Sequence, residues 1–351
     1  MILRQEGSNV RKSLIVLAAL LLLCSAGCSL FTSGNDVNLP LQAGLLTDGS
    51  SVEDGGINQA VWICLQQMKS EISGFEAHYK VPGQDGGYSE CAAVLAERGC
   101  TLIVCVDGTM ADTIAKVAVE NPNCTFLVLN SEEIKASNVI SMGFSMDEAI
   151  YLAGYAAAKT SVSDRLGCVH GRMTEETERL VVSFMAGARA ANSDITILRR
   201  NIMAQRDGGR LTAEELVANG VDVIFHADGA GDSAVLRVCK DNGIWAVGAN
   251  TEQGQANPDC MLAYAEIQID AALRQIINEA SSKELKYGAR TFDFSNGGIA
   301  LTIGENILSE KAITSVNNIR EKLAAGEITL PATFEQLFEK YPDLVEGQGS
   351  W

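Results

Sequence analysis

Basic side chains and histidines are scarce in this 351-residue chain. It has 27 Lys and Arg residues and 44 Asp and Glu residues, which gives a formal net charge of −17 at pH 7. A chain this acidic lacks the basic stripe that binding to a phosphate backbone requires, so the composition excludes nucleic acid as a partner. The three histidines, His78, His170 and His226, have no ligand-like spacing, and no metal site is expected.

Recognised catalytic signatures are also missing. The sequence has no Gly-x-Ser-x-Gly elbow, no His-Glu-x-x-His and no deaminase-type His-x-Glu. Adjacent acids such as Glu53 and Asp54 could take part in acid–base chemistry, but such pairs are usually just solvated. The turn at 229–231 lacks the Lys and the Ser or Thr of a phosphate-binding loop. The sequence therefore predicts a protein that is not an enzyme and that needs no cofactor.

The ten cysteines include no CxxC pair and no Cys/His cluster. Five of them fall inside apolar helix or strand patterns and are interpreted as small core residues, namely Cys64, Cys91, Cys105, Cys168 and Cys239. Cys24 and Cys28 belong to the N-terminal signal and lipid site. A disulfide that involves Cys100, Cys124 or Cys260 stays open as an alternative, because an exported protein meets an oxidising compartment.

The N-terminus has the order of an export signal. Basic residues precede an apolar run over 14–23, which is shorter than the roughly 20 residues that a membrane span needs. Small residues at 25–27 lead to Cys28 and resemble the lipobox of bacterial lipoproteins, although Ser25 stands where Leu is usual. This resemblance implies that the signal peptide 1–27 is removed, that Cys28 carries the lipid, and that 28–40 tethers the protein to the extracytoplasmic side of the membrane.

Beyond the tether the pattern alternates between strands and helices, which predicts an α/β fold with parallel sheets. Many strands are continuous apolar runs, so both faces of each sheet are expected to be covered. The number of βα units suits two similar lobes, and a cleft between them is the natural binding site. Strands are predicted at Leu102–Val106, Thr125–Leu129, Leu166–His170, Thr196–Ile202, Val221–His226 and Ile244–Ala249, and helices at Cys91–Glu97, Thr109–Glu120, Asp147–Ala158, Glu175–Ala191, Thr212–Asn219 and Ser233–Asn242.

The polar loop from Asp48 to Gln59 lies between a short apolar strand and an amphipathic helix. In open α/β sheets, ligands bind outside the carboxyl ends of the strands, where helix N-termini offer free N–H groups. The loop is therefore a candidate ligand site. The alternative is a plain solvated turn, because Gly, Asp and Ser are also turn formers.

Residues 48–62 resemble the D-x-G-x-x-D-D-x-S-F-N-Q-x-x-W signature of the basic membrane protein (Bmp/PnrA-like) family of solute-binding lipoproteins. The resemblance continues in order from Leu41 to Pro331. Further segments that resemble the family's lie at 137–144, 151–157, 184–188, 222–231, 246–253 and 324–328.

Resemblance to this family implies a type I periplasmic-binding fold, in which two Rossmann-like lobes are joined by a three-crossing hinge. The lobes would close on a small molecule and present it to an ABC permease. The implied boundaries are 41–145 plus about 254–290 for lobe 1 and 146–253 plus about 291–331 for lobe 2, followed by a C-terminal extension at 332–351. Family members with a known ligand mostly bind purine nucleosides, which they hold with aromatic rings and carboxylates.

Transfer by position gives roles to four residues of this chain. Asp48 would face the base edge and Ile57 would occupy a stacking position, while Gly229 and Asn250 would contact the ribose. Other polar or aromatic residues at strand ends complete the prediction, including an Asp107-Gly108-Thr109 turn in which Thr109 is expected to be the N-cap. The predicted ligand-binding residues are Asp48, Gly49, Ile57, Asn58, Asp107, Gly108, Phe144, Arg172, Gln205, Asp228, Gly229, Asn250 and Glu252.

The sequence departs from the family pattern at four pocket positions. Ile57 replaces a Phe and Asn250 replaces an Asp, residues 203–207 contain no aromatic, and Ile267 stands near the family's Lys. A lost stacking face is worth about 1–3 kcal/mol per base. The departures predict an altered pocket, for a nucleoside-like ligand or for another small polar solute such as a sugar or polyol. A ligand sensor for a membrane receptor is the alternative to a transport partner.

Overall fold

The computed structural model describes residues 42–131, 133–202, 207–227, 232–256, 258–282 and 284–344. The predicted signal peptide, the tether and Cys28 lie outside these ranges. No helix inside them has the length and apolar character that a membrane crossing requires.

The described residues form twelve strands and eleven α-helices, which alternate along most of the chain. In chain order they are β1 Gln42–Leu46, α1 Ile57–Glu71, β2 Glu76–Lys80, α2 Tyr88–Glu97, β3 Leu102–Cys105, α3 Ala111–Glu120, β4 Thr125–Leu129, β5 Val139–Phe144, α4 Asp147–Thr160, β6 Arg165–His170, α5 Glu175–Ala191, β7 Thr196–Asn201, α6 Gly208–Ala218, β8 Val223–His226, α7 Asp232–Asn242, β9 Trp245–Gly248, α8 Thr251–Ala256, β10 Met261–Ile267, α9 Ile269–Ser281, β11 Gly288–Phe292, β12 Ile299–Ile303, α10 Glu310–Ala324 and α11 Phe334–Lys340.

The strands form two six-stranded sheets. The first has the order β11-β5-β4-β3-β1-β2, and its neighbouring strands are all parallel. The second has the order β12-β10-β9-β8-β6-β7, and among its described pairs β10 with β12 is antiparallel. The predicted class, α/β with two Rossmann-like lobes, is confirmed.

The chain passes between the two sheets three times. It leaves the first sheet between β5 and α4, returns between β10 and α9, and leaves again between β11 and β12. Apolar side chains of β1, β3, β4, α1 and α9 form one core, and those of α4, α5, β6, β8 and β10 form another. Strands such as β3 are buried along their whole length, as continuous apolar strands covered on both faces should be.

Helices α4 and α5 cross at two glycines that face each other's backbone. A Cβ on Gly187 would lie 2.7 Å from the carbonyl carbon of Tyr151, and a Cβ on Gly154 would lie 2.9 Å from that of Phe184. Both distances are shorter than real Cβ contacts, so only glycine permits this close approach. The Leu-Ala-Gly-Tyr and Met-Ala-Gly-Ala segments therefore have a packing role.

The domain boundaries differ from the prediction at two places. Strand β10 pairs with β9 and β12 in the second sheet, so the second segment of the first lobe begins with α9 and not near residue 254. Residues 332–344, which the prediction assigned to an extension, are part of the second lobe: Leu337 is fully buried in its core, and the backbone N–H of Phe334 donates to Glu178 Oε1 at 2.8 Å.

None of the eight cysteines in the described ranges forms a disulfide, and all eight are buried. The alternative of a bridge at Cys100, Cys124 or Cys260 finds no support there. Cys124 Sγ instead donates to the carbonyl oxygen of Cys100 at 3.1 Å. Burial raises the pKa of the Cys64 thiol to about 12, which suits an unreactive core residue.

Candidate functional site

The loop that follows β1 is organised by Asn58, which is fully buried. Its amide nitrogen donates to Asp48 Oδ1 at 2.9 Å and to Asp54 Oδ2 at 2.7 Å. Its side-chain oxygen accepts from the backbone N–H of Asp48 at 3.3 Å. One amide thus joins the first carboxylate of the loop to the start of α1, and the loop is a fixed structure instead of a plain solvated turn. We call Asp48, Asp54 and Asn58 the loop clamp.

The two carboxylates of the loop clamp have lowered pKa values. Burial raises the pKa of Asp48, but hydrogen bonds from Ser50 and Asn58 outweigh it. Burial also raises the pKa of Asp54, but hydrogen bonds from Asn58 and from the backbone N–H groups of Gly56 and Gln59 lower it by more. Both side chains are therefore anionic at neutral pH and accept hydrogen bonds.

Two other predicted residues belong to the same loop. Gly49 has a φ of +101°, a conformation that L side chains rarely adopt, so the turn itself requires glycine there. Ile57 is the first residue of α1 and is half-buried, packed against the core of the first lobe.

At the carboxyl end of β3, Asp107 caps a short 3₁₀ turn. Its carboxylate accepts from the backbone N–H of Thr109 at 2.8 Å and from the Thr109 hydroxyl at 2.7 Å. The prediction that Thr109 is the cap was wrong, since Asp107 is the acceptor and Thr109 the donor. A Cβ on Gly108 would lie 2.9 Å from the carbonyl carbon of Asn130, so close packing against the end of β4 explains this glycine.

Sequence reasoning missed Tyr88, which lies next to the loop clamp. The Tyr88 hydroxyl donates to the carbonyl oxygen of Asp48 at 3.1 Å. Together with Asp48, Gly49 and the glycine-rich loop that precedes α2, it lines a cavity of about 530 Å³. The signal that could have found it is the cluster of glycines at 83–87 immediately before an aromatic residue.

In the second lobe, the predicted residue Asn250 caps helix α8. Its side-chain oxygen accepts from the backbone N–H of Gln253 at 2.9 Å. Gln253 is buried, and its amide bonds to the backbone N–H of Ala249 at 2.6 Å and to His226 Nδ1 at 3.0 Å. This buried pair between the ends of β8 and β9 was also missed, because the prediction named Glu252 instead.

The remaining predicted site residues fall into two groups. Arg172 follows β6 and is exposed, and Phe144 ends β5 at the first crossing, where its ring packs 5.8 Å from that of Phe292. Gln205, Asp228 and Gly229 lie outside the described residues, as does the side chain of Glu252.

Carboxylates line the crossings between the lobes. Asp147 pairs with Arg179 at 3.4 Å, and one oxygen of Glu148 is buried without a hydrogen-bond partner. Burial raises the pKa of Glu148, and the charges of Asp293 and Asp147 raise it further. Backbone N–H groups at 294 and 295, in the third crossing, lower it only in part. Burial likewise raises the pKa of Asp147, against the opposing charge of Arg179.

A raised native pKa makes the stability contribution of Glu148 largest in acid. It is fully present below the ordinary value of 4.5 and is lost as the pH rises through the raised native value. We expect Glu148→Gln to lose less stability than the wild type between pH 4.5 and pH 7, because the neutral amide does not ionise. Urea unfolding at closely spaced pH values measures the difference. The exposed Glu339→Gln is the control, and parallel stability curves for all three proteins would contradict this expectation.

Within the described ranges, no group of three or more His, Cys, Asp or Glu side chains is arranged to hold a metal ion. A family model described as ABC transporter substrate-binding protein PnrA-like matches residues 41–333. That match spans both sheets and all three crossings. The chain belongs to this Bmp family. The family is one of substrate-binding proteins. ABC transporter substrate-binding proteins are extracytoplasmic.

Relatives of this Bmp family protein are distant but extend over most of the chain. It is 24% identical to the ABC transporter nucleoside-binding protein BmpA of Lactococcus lactis subsp. cremoris, with 91% of this chain and 97% of the relative covered. It is also 24% identical to the CD4+ T-cell-stimulating antigen of Listeria monocytogenes, with 82% and 87% covered.

Solved structures support the fold. A transcriptional activator of the comK gene from Bacillus halodurans superposes with a TM-score of 0.68 at 20% identity, with 83% of this chain and 99% of that one covered. An ABC transporter solute-binding protein from Conexibacter woesei gives 0.65 at 18% identity, with 83% and 98% covered. The family match over residues 41–333, and not these structures, confirms the resemblance of the sequence to the Bmp family and its class as a solute-binding protein of an ABC transporter.

Proposed function

We propose that this protein is a lipid-anchored solute-binding protein that delivers a nucleoside-like molecule to an ABC permease by closure of its two lobes. The observation that carries the proposal is the loop clamp. It holds the Asp48 carboxylate, anionic at neutral pH, at the carboxyl end of β1, where ligands bind in open α/β sheets. The nucleoside-binding name of the Lactococcus lactis relative supports the ligand class.

Three crossings support a hinge. Segments that pass between lobes can absorb a change of angle while each sheet stays rigid. A ligand that contacts both lobes would stabilise the closed arrangement, because only that arrangement offers both sets of contacts. Attachment through Cys28 would keep the protein beside its permease. Small-angle scattering of the protein with and without a bound solute tests the closure of the two lobes. Identical dimensions in the two states would contradict it.

The altered pocket is part of the proposal. Ile57 is aliphatic and packs on the core of the first lobe, and the Asn250 side chain is engaged as a helix cap. Neither arrangement suits the stacked and charge-assisted contacts that the family resemblance implies. We therefore expect purine nucleosides to bind more weakly than in a pocket with an aromatic at 57, by about 1–3 kcal/mol for the missing stacking face.

A thermal-shift screen of the full-length protein tests the ligand class. The panel contains adenosine, guanosine, inosine, free bases, ribose, myo-inositol and small organic acids. A ligand at 100 times its dissociation constant adds about 2.7 kcal/mol of stability, which raises the unfolding temperature measurably. A shift with any of these solutes supports a solute-binding role. Submicromolar binding of adenosine or guanosine would contradict the altered pocket, and a shift with sugars alone would favour a polyol ligand.

A further inference from the structure

The segment between β2 and α2 forms a tight loop whose wall is mostly backbone. Gly83 and Gly86 have φ values of +85° and +123°, and the backbone N–H of Gly83 donates to the carbonyl oxygen of Gly86 at 2.7 Å. The Asp85 side chain accepts from the backbone N–H of Val81 at 3.1 Å. These bonds fix the loop. A Cβ on Gly83 would meet no atom within 4 Å, so open space adjoins this backbone.

Gly83, Gly86 and Gly87 of this loop line the cavity of about 530 Å³ that Asp48 and Tyr88 also line. A cavity of this size lies within the range that holds a small organic ligand. The missing side chain at Gly83, where a Cβ would meet no atom, allows a flat ligand to approach the backbone closely. Tyr88 is the aromatic member of the lining, and its hydroxyl is tethered to the carbonyl oxygen of Asp48.

Asp48 is the charged residue among those that line this cavity. Burial raises the pKa of Tyr88, and the negative charges of Asp107 and Asp48 raise it further. Asp48 follows β1 and belongs to the lining of the cavity, whereas Asp107 follows β3 and is not among the lining residues. Carboxylates accept hydrogen bonds and cannot donate them, so the edge of a bound molecule must present N–H or O–H groups here.

We propose that Tyr88 and the glycine loop at 82–87 form a ring-binding wall next to Asp48, for a planar ring that carries hydrogen-bond donors and no negative charge. An aromatic face binds a ring by stacking, and the adjacent carboxylate binds its donor-bearing edge. The wall supplies an aromatic surface to a site that has an aliphatic residue at 57. This assignment rests on the proposed solute-binding function and specifies the chemistry of its ligand.

The test compares the wild type with Tyr88→Phe, Tyr88→Leu and the control Tyr287→Leu. Tyr88→Phe keeps the ring, and Tyr88→Leu keeps an apolar side chain without a ring. Tyr287 is a tyrosine that is 48% exposed and precedes β11 at the opposite edge of the first sheet. Calorimetric titration uses inosine and guanosine as ring-bearing probes and ribose and myo-inositol as probes without an aromatic ring.

We expect the wild type to bind a nucleoside probe, and Tyr88→Leu to weaken that binding about tenfold or more, within the range of one stacked base. Tyr88→Phe and Tyr287→Leu should stay within about threefold of the wild type. If Tyr88→Leu fails to fold, the near-UV difference spectrum between the protein with and without nucleoside tests whether Tyr88 contacts the ligand. The wild type should show a tyrosine band in this spectrum, and Tyr88→Phe should lack it.

Two outcomes overturn the assignment of the ring-binding wall while the role in solute binding stands. The first is nucleoside binding that Tyr88→Leu leaves unchanged, or a difference band that Tyr88→Phe retains. The second is wild-type binding of ribose or myo-inositol alone. Absence of binding to every probe of the screen would overturn both the assignment and the proposed function.

Discussion

Gly187→Ala should destabilise the protein by about 3 kcal/mol, although alanine is the better helix former by about 1 kcal/mol. The added Cβ would lie 2.7 Å from the carbonyl carbon of Tyr151 on the neighbouring helix. That atom belongs to the backbone of α4, so no flexible side chain can move aside. The two helices would have to separate, which opens gaps in the core of the second lobe.

Urea unfolding of the wild type and the variant measures this change. Gly143→Ala is a suitable control, because the nearest atom to its added Cβ is 3.8 Å away, an ordinary van der Waals distance. We expect the control to stay within about 1 kcal/mol of the wild type. A Gly187→Ala variant as stable as the control would mean that the α4–α5 contact relaxes at little cost.

The glycine crossing shows what sequence patterns can and cannot reveal. Helices at 147–158 and 175–191 follow from apolar periodicity and acidic first turns, and the structure has them at Asp147–Thr160 and Glu175–Ala191. Periodicity does not show which residues of two helices touch. The facing glycines are a tertiary contact, so the sequence alone presented them only as part of a family signature.

In the sheets, buried central strands such as β4 could be predicted from the sequence, and two edge strands, β2 and β12, could not. Central strands such as Thr125–Leu129 are apolar and buried after their first residue, and this strand was predicted with correct bounds. Strand β2, with the sequence Glu-Ala-His-Tyr-Lys, lies at the edge of the first sheet and is only partly buried, so its composition resembles that of a loop. Missing β2 also hid the glycine loop and Tyr88 that follow it. The second lobe's edge strand, β12, was missed as well.

The loop clamp was the part of the site that the order of residues revealed best. Asp48 and Asn58 are ten positions apart and were both predicted to bind ligand. The structure places them in direct hydrogen-bond contact at 2.9 Å, with Asp54 on the same amide. The sequence could not show that Asn58 is fully buried, because its position on α1 faces inward only once the loop folds over it.

Asn58→Asp should therefore be severely destabilising at neutral pH. The change keeps the shape of the side chain but removes both amide donors and adds a third carboxylate beside Asp48 and Asp54. Hydrogen bonds to charged groups contribute about 1.5–3 kcal/mol each, so loss of two predicts a cost of at least about 3 kcal/mol. Ligand affinity should fall as well, because Asp48 loses the bond that orients it.

The introduced carboxylate makes the loss of stability depend on pH. This dependence distinguishes charge repulsion between the carboxylates from a loss of packing. Protonation of the introduced carboxyl group in acid would restore a donor, so the gap to the wild type should narrow between pH 7 and pH 4.5. Urea unfolding at both values measures it, with the exposed helical variant Asn318→Asp as control, expected within about 0.5 kcal/mol of the wild type. A cost for Asn58→Asp that is equal at both pH values would show that the clamp acts through packing and not through its charge-assisted bonds.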